Sequence, residues 1–358
     1  MKIVNSHNEW DQLQEVIVGD GFPETIPALD FSFKLFFHDN IFGKHIDVKQ
    51  YIKKRHIDEH REDIEKYVDL IKSFGIKVRR PKVPKSVNKV KTPYWDSTDY
   101  PALNVRDLCM IVNDTIIETP PSCRWRIFEN DYMKHLFLEY FNNGAKWLSA
   151  PRPLILDTSF DMSIYGNAYD DYEIKDSYMG LGKEIMFDAA NCMRLGSVIL
   201  MNVSNENQRL GAKWLQNTLG NNYKVWTTNI TDSHIDSSFL PLKPGLAIIT
   251  REDIKNKLPK PIQDWDLIYI PMRERDISEY KNQNVNLASP RIELNVFSIN
   301  KNLIVCHPQY EKILNDKLKK YNIEAIGTPF RHCELFSGAH HCTTLDIRRE
   351  SKYENYFE

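Results

Sequence analysis

The chain has 358 residues, 42% hydrophobic and 27% charged, which is enough apolar content to bury a sizeable core. Its formal net charge of −2 gives no electrostatic reason to expect a nucleic acid or an anionic membrane as partner. No apolar run approaches the roughly 20 residues of a membrane span, and the opening "MKIVNSHNEWDQ" lacks the apolar segment of a secretory signal.

In chain order, a first strand is expected in "LQEVIVGD" (13–20). The helix that follows is "REDIEKYVDLIKSFG" (61–75), where Ile64, Tyr67, Val68, Ile71 and Phe74 fall at helical spacing and Gly75 is placed to stop it. A short strand, "IKVRRP", completes the unit. The lysine-rich stretch at 79–91 reads as a solvated loop, because no arginine–aromatic interleaving accompanies its charge.

The same order then recurs. "DLCMIVNDTIIET" (107–119) reads as a hairpin turning at "VND", followed by the helix "YMKHLFLEYFNNG" (132–144) and the strand "AKWLSA". A third unit runs "SVILMNVSN", "NQRLGAKWLQNTLG", "YKVWTT". The fourth, "GLAIITRED" to "WDLIYIP", has a short and weak helix. The fifth is "NVFSINKNLIVC", "QYEKILNDKLKKYN", "IEAIGTPF".

Five units at roughly 70 residues each have the spacing of a radial array. A doubly wound sheet would also alternate strands and helices, but its Gly-rich phosphate loop is missing from the sequence. The expected fold class is therefore α/β, a single domain over residues 1–358 forming a pseudo-fivefold α/β propeller. Its active site should lie on loops meeting at the axis.

The six cysteines (109, 123, 192, 306, 333 and 342) are scattered, with no CxxC pair. That spacing argues against a zinc ribbon or a disulfide framework and predicts reduced thiols in a cytoplasmic protein.

Cys342 sits in "SGAHHCTTLDIRRE" and can be a nucleophile, a metal ligand or a buried core thiol. Ser337, Gly338 and Ala339 let backbone approach a ligand closely. His340 and His341 beside it are expected to supply a cation that lowers the thiol pKa from about 8.5. His234 and Asp236 in "SHID" are two residues apart and would share a face of an extended chain, a proton shuttle beside a cation-binding carboxylate. As zinc ligands these residues lack the usual spacings.

Asp188 in "MFDAAN" is expected to follow a strand, with a helix N-cap as the structural alternative. Asp107 in "NVRDLCMIV" opens a strand, with an ion pair to Arg106 as its alternative. One thiol, one histidine and three carboxylates, with no cofactor motif, suit a planar cation such as a guanidinium. Its carbon is a poor electrophile, so attack needs a strong nucleophile and an acid for the departing amine.

Ordered stretches along nearly the whole chain resemble the amidinotransferase family, which includes arginine:glycine amidinotransferase and the inosamine-phosphate amidinotransferases. They include "HNEWDQLQEVIVG", "GIKVRRP", "KTPYWDST", "VRDLCMIVNDTIIETP", "GAKWLSAPRP", "FDAANCMRLG", "GAKWLQNTLG", "HIDSSFLPLKPGLAI" and "HCTTLDIRR". "FDAAN", "GAKWLQ" and "HIDSSFLPLKPG" look nearer the inosamine-phosphate branch than the glycine branch.

The resemblance implies a pentein ring and transfer of an amidino group from L-arginine to an amine, with L-ornithine released. The acceptor would be an aminocyclitol such as inosamine phosphate, or glycine, lysine or another amine. It also implies ping-pong chemistry with no metal or organic cofactor, and a homodimer. Cys342 matches the family's nucleophile, His234 its general acid/base, and Asp188 the carboxylate that orients the histidine. Asp107 and Asp236 match the pair that grips the guanidinium, and Ser289 in "ASPRIELNV" falls where relatives use a serine near the donor.

Three stretches depart. "SGAHHC" stands for the family's "GGGFHC", "AS" stands for the serine pair common in glycine-specific enzymes, and "ITREDI" stands for an Asn-Pro-x-Arg segment, which leaves Arg251 as a shifted candidate to hold the donor's carboxylate. A guanidino-group hydrolase and a non-catalytic guanidine-binding propeller are the rival readings.

Overall fold

Each β-branched run becomes a strand, and the amphipathic runs between them become helices laid on those strands. The computed structural model describes residues 2–21, 25–26, 32, 50–83, 89–160, 182–282, 285–286, 288–289, 292 and 294–357. Among these are five three-stranded sheets of one plan: an antiparallel pair, then a helix, then a third strand parallel to the second. The lysine-rich stretch falls partly outside the described residues, at 84–88, while Lys89–Lys91 form a short strand.

The first sheet holds β1 (Leu13–Val18), followed by α1 (Lys54–Ser73) and the parallel β2 (Lys77–Arg79). The second is the hairpin β3 (Cys109–Val112) and β4 (Thr115–Glu118), then α2 (Lys134–Asn142) and β5 (Lys146–Ser149). The third runs β6 (Cys192–Leu195), β7 (Val198–Asn202), α3 (Glu206–Leu219), β8 (Lys224–Thr228).

The fourth has β9 (Phe239–Lys243) and β10 (Leu246–Ile249), with two single-turn helices, α4 (Ile254–Lys257) and α5 (Lys260–Gln263), before β11 (Asp266–Tyr269). Pro259 separates the two turns, because it offers no N–H and biases Leu258 away from helix. The fifth is β12 (Phe297–Asn300), β13 (Leu303–Cys306), α6 (Pro308–Leu318) and β14 (Glu324–Gly327). β15 (Thr344–Arg349) then returns to the first sheet, pairing antiparallel with β1 from Leu13↔Arg349 to Val18↔Thr344.

α1 begins seven residues before its expected start. Its first turns carry Lys54–Asp58 and Arg55–Glu59 pairs one turn apart while His56 and His60 turn inward. Gly75 does end the unit, at φ +76°. In the third sheet Asn205 caps α3 by accepting the Gln208 N–H at 3.0 Å. A Cβ on Gly211 of α3 would lie 2.4 Å from Phe187, so glycine there lets the segment bearing Asp188 press onto the helix.

Behind β15 lies a buried knot of ions. Asp346 accepts from Arg194 through both oxygens (2.9 and 2.8 Å), from Arg106 at 2.6 Å and from Arg349 at 2.8 Å, while Glu9 takes a fork of Arg194 at 2.8 and 2.6 Å. It ties the amino-terminal segment, β6 and β15 to one another. Among the described residues, no helix is long and apolar enough to cross a membrane.

Candidate active site

Cys342 is 98% buried in the turn that leads into β15. The turn is tight: a Cβ on Gly338 would stand 2.1 Å from Asn104 Oδ1, and the Asn104 amide donates to the Phe336 carbonyl at 3.1 Å. The small-residue run before the cysteine therefore serves close packing against Asn104. Asn295 fixes the backbone at Cys342, its Oδ1 accepting the N–H groups of His341 and Cys342 at 2.9 Å each. Its Nδ2 donates to Asp236 Oδ2 at 3.2 Å. The Cys342 thiol donates to the same carboxylate oxygen at 3.3 Å, and His341 Nδ1 meets it at 2.8 Å.

His340 does not supply the expected cation. His340 Nε2 meets the Thr328 carbonyl at 3.1 Å, and burial, with His307 nearby, pushes its pKa down to about 3. His341 is turned to Asp236 and, at 3.7 Å, Glu9. Burial, Asp236 and Asp107 together push the Cys342 thiol well up, which favours its protonated form. Burial also favours the neutral form of Asp236, but the bond and charge of His341, then His234 and the Cys342 bond, bring it down to about 2.

Facing this group is His234. Its Nε2 meets Asp188 Oδ2 at 2.9 Å and its Nδ1 lies 3.8 Å from Asp107 Oδ1. Burial alone would lower its pKa, but Asp107, the Asp188 bond and charge, and Asp236 outweigh that and raise it to about 9. Asp188 is oriented by the Ser122 N–H at 3.1 Å. Burial would raise its pKa, yet the bond and charge of His234, then Arg126 and Ser122, leave it below its ordinary value. Burial pushes Asp107 up, with Arg126 and His234 opposing and Asp236 adding to the rise.

Five sequence candidates are thus joined: Cys342 to Asp236, His234 to Asp188 and Asp107. Several local expectations change. Asp188 follows irregular backbone rather than a strand, and stands at the N-cap of a short 3₁₀ turn without capping it by its side chain. His234 stands at the N-cap of another 3₁₀ turn, Ile235–Ser237, and Asp236 lies within it, so a shared strand face is not what brings them together. Asp107 pairs with Arg126 at 2.7 Å, while Arg106 turns to Asp346.

Ser289 donates its backbone N–H to the Glu334 carbonyl at 3.0 Å, which sets it beside the segment leading to Cys342. Arg251 stays apart: half exposed, it donates to Asp253 at 3.0 Å and to the Ile230 carbonyl at 2.7 Å. Asn295 and Arg126 are not among the candidates from the sequence, yet they hold Cys342 and Asp107. Asn295 lies inside "ASPRIELNV", but an asparagine between two apolar residues gives no sign that it will hold a nucleophile.

Among the described residues no group of three or more His, Cys, Asp or Glu side chains is placed to hold a metal ion. A cavity of about 720 Å³ lined by residues including Lys2, His7, Tyr223, Arg348 and Tyr353 lies elsewhere and takes in none of the seven candidates. The site instead offers three carboxylates, a thiol and a protonated imidazole around a point at which a cation can be gripped and attacked.

No protein-family model matches the chain. The L-arginine:L-lysine amidinotransferase of Pseudomonas savastanoi pv. phaseolicola is 33% identical over 365 residues, covering 99% of this chain and 96% of that protein. The solved inosamine-phosphate amidinotransferase of Streptomyces griseus superposes with a TM-score of 0.85 at 30% identity, covering 100% of both chains. The DDAH of Pseudomonas aeruginosa matches with a TM-score of 0.57 at 11% identity over 93% of this chain and 99% of that one, a likeness of fold alone. Similarity at this level, sustained from end to end in sequence and structure, places the chain in the amidinotransferase family, as an enzyme that transfers one-carbon groups.

Proposed function

We propose that the enzyme moves the amidino group of L-arginine onto Cys342 and from there to an acceptor amine, releasing L-ornithine after the first half. The observation that carries this reading is the Cys342 thiol bonded to Asp236 opposite the His234–Asp188 pair. Asp107 and Asp236 grip the planar guanidinium by charge-assisted bonds. Its arrival cancels the carboxylate charges that keep the thiol protonated, so the thiol releases its proton to solvent and the thiolate forms beside the guanidinium. Sulfur attacks the guanidinium carbon, and protonated His234 gives its proton to the departing nitrogen of ornithine. With Nε2 on Asp188, the transfer is assigned to Nδ1, which lies 3.8 Å from Asp107 Oδ1.

The amidino-cysteine then meets the acceptor. Neutral His234 takes a proton from the amine, nitrogen adds to the amidino carbon, and the Cys342 thiolate leaves. No cofactor enters this scheme. Ser289 and Arg251 remain candidates for the donor's amino-acid end, with Arg251 requiring movement to reach it. We read the five sheets as a closed ring in one domain of residues 1–358, since β15 and β1 bring the last and first modules into a single sheet.

The acceptor in this reading is the primary amine of an aminocyclitol or an amino acid. Relatives named for L-lysine and for inosamine phosphate stand at 33% and 30% identity, a difference too small to choose between them. Incubation with L-arginine alone, followed by mass spectrometry, tests the scheme. Stoichiometric ornithine with one amidino group on Cys342 is expected. Sustained citrulline without an adduct would mean a hydrolase, and neither product would remove arginine as donor.

A further inference from the structure

Asp107 is divided between two tasks. Its Oδ2 receives Arg126 Nη1 at 2.7 Å. Its Oδ1 is fully buried, accepts no hydrogen bond among the described residues, and lies 3.8 Å from His234 Nδ1. A buried acceptor left open in this way costs stability unless something fills it. Arg126 is itself fixed. Its Nε and Nη2 fork onto both oxygens of Glu129 at 2.6 and 2.9 Å, and its guanidinium carbon lies 5.5 Å from the centre of the Trp125 ring. The fork leaves Nη1 aimed at Asp107.

We propose that Arg126, locked by Glu129, is a positioning residue that occupies one oxygen of Asp107 and reserves the other for an N–H of the donor guanidinium. The inference rests on the arginine-donor reading and names how that donor is gripped: by a single oxygen of Asp107. Arg126 does not touch the substrate. Its charge keeps a buried carboxylate ionised, and its planar fork sets the carboxylate's rotation, which a lysine could not do. Both effects come from a short stretch of 3₁₀ turns, Arg124–Arg126 and Glu129–Met133, that brings residues three apart into a bidentate pair.

The test uses the full-length enzyme and the variants Arg126→Lys and Arg126→Gln. KM and kcat for arginine, the ornithine burst and the pH profile of kcat/KM would be measured. R126K keeps the charge and loses the fork, so kcat/KM for arginine should fall about 10- to 100-fold, chiefly through KM. R126Q also loses the charge, so Asp107 should protonate at higher pH and the acid limb of the profile should move upward.

A merely structural role would shrink the burst amplitude while leaving KM and the acid limb in place, and that result would overturn the proposal. If R126Q does not fold, R126K decides alone, because it retains the buried cation. Wild-type enzyme that forms no ornithine from arginine would overturn the donor reading, and this inference with it. Normal wild-type bursts with unchanged variants would overturn this inference only.

Discussion

The Cys342 thiol donates a hydrogen bond to Asp236 Oδ2 across 3.3 Å, so the carboxylate proposed to grip the guanidinium also holds the proposed nucleophile in its protonated form. Asp236→Asn removes that charge, and the thiol should then ionise more readily. Alkylation of Cys342 by iodoacetamide at pH 8, read by peptide mass spectrometry, should speed up about tenfold for each unit its pKa falls. Arginine turnover should drop at least about 100-fold in the same variant. Slower or equal alkylation would show that something other than Asp236 holds the thiol protonated.

Asp188→Asn tests the acid. Asp188 helps raise His234 from 6.5 to about 9, so its loss should let the histidine give up its proton at lower pH. With protonated His234 needed for ornithine release, the alkaline limb of kcat/KM should move down by about a unit or more, and kcat should fall about 100-fold. An alkaline limb that stays in place would exclude His234 as the acid.

Asn295→Ala leaves two buried N–H groups, those of His341 and Cys342, without their side-chain acceptor. Thermal or denaturant unfolding should show a loss of about 1–3 kcal/mol. The ornithine burst should slow beyond what the folded fraction explains, because the nucleophile's backbone is no longer fixed. A variant with the wild-type burst rate per folded molecule would restrict Asn295 to a packing role.

The buried ion knot gives the molecule its acid limit. Burial opposes the charge on Asp346, but Arg194, Arg106 and Arg349 hold its carboxyl well below the usual range. A carboxylate with a depressed folded pKa contributes its stability above the unfolded value of about 4 and loses it as pH falls toward the folded value. Wild-type protein should therefore weaken steadily below pH ~4 in urea titrations. Asp346→Asn should lose about 3–5 kcal/mol at pH 7 and show a flatter acid dependence.

The modules were legible in the sequence because hairpins and amphipathic helices are local. "DLCMIVNDTIIET" turns where "VND" predicts, and β3 and β4 pair from Cys109↔Glu118 to Val112↔Thr115. The five candidates that the structure brings together were legible through motif resemblance. Their surroundings were not. Neighbouring side chains diverge, so Arg106 and Asp107, adjacent in sequence, serve different partners. The charge of His340 depends on burial and a carbonyl twelve residues away, which no local pattern records. Arg126 and Asn295 act through geometry imposed by other segments, and their residue types are unremarkable in place.

The pairing of β1 with β15 sets when the site can exist. These strands come from opposite ends of the chain, and Cys342 stands just before the second of them. A chain emerging from the ribosome can build its middle modules from nearby sequence as they appear. The first sheet must wait for the last strand, a contact of very high order whose closure entropy is met late. Cys342 thus arrives with the pairing of these two strands, and under the proposed mechanism a nascent or truncated chain holding every other site residue has nothing with which to attack.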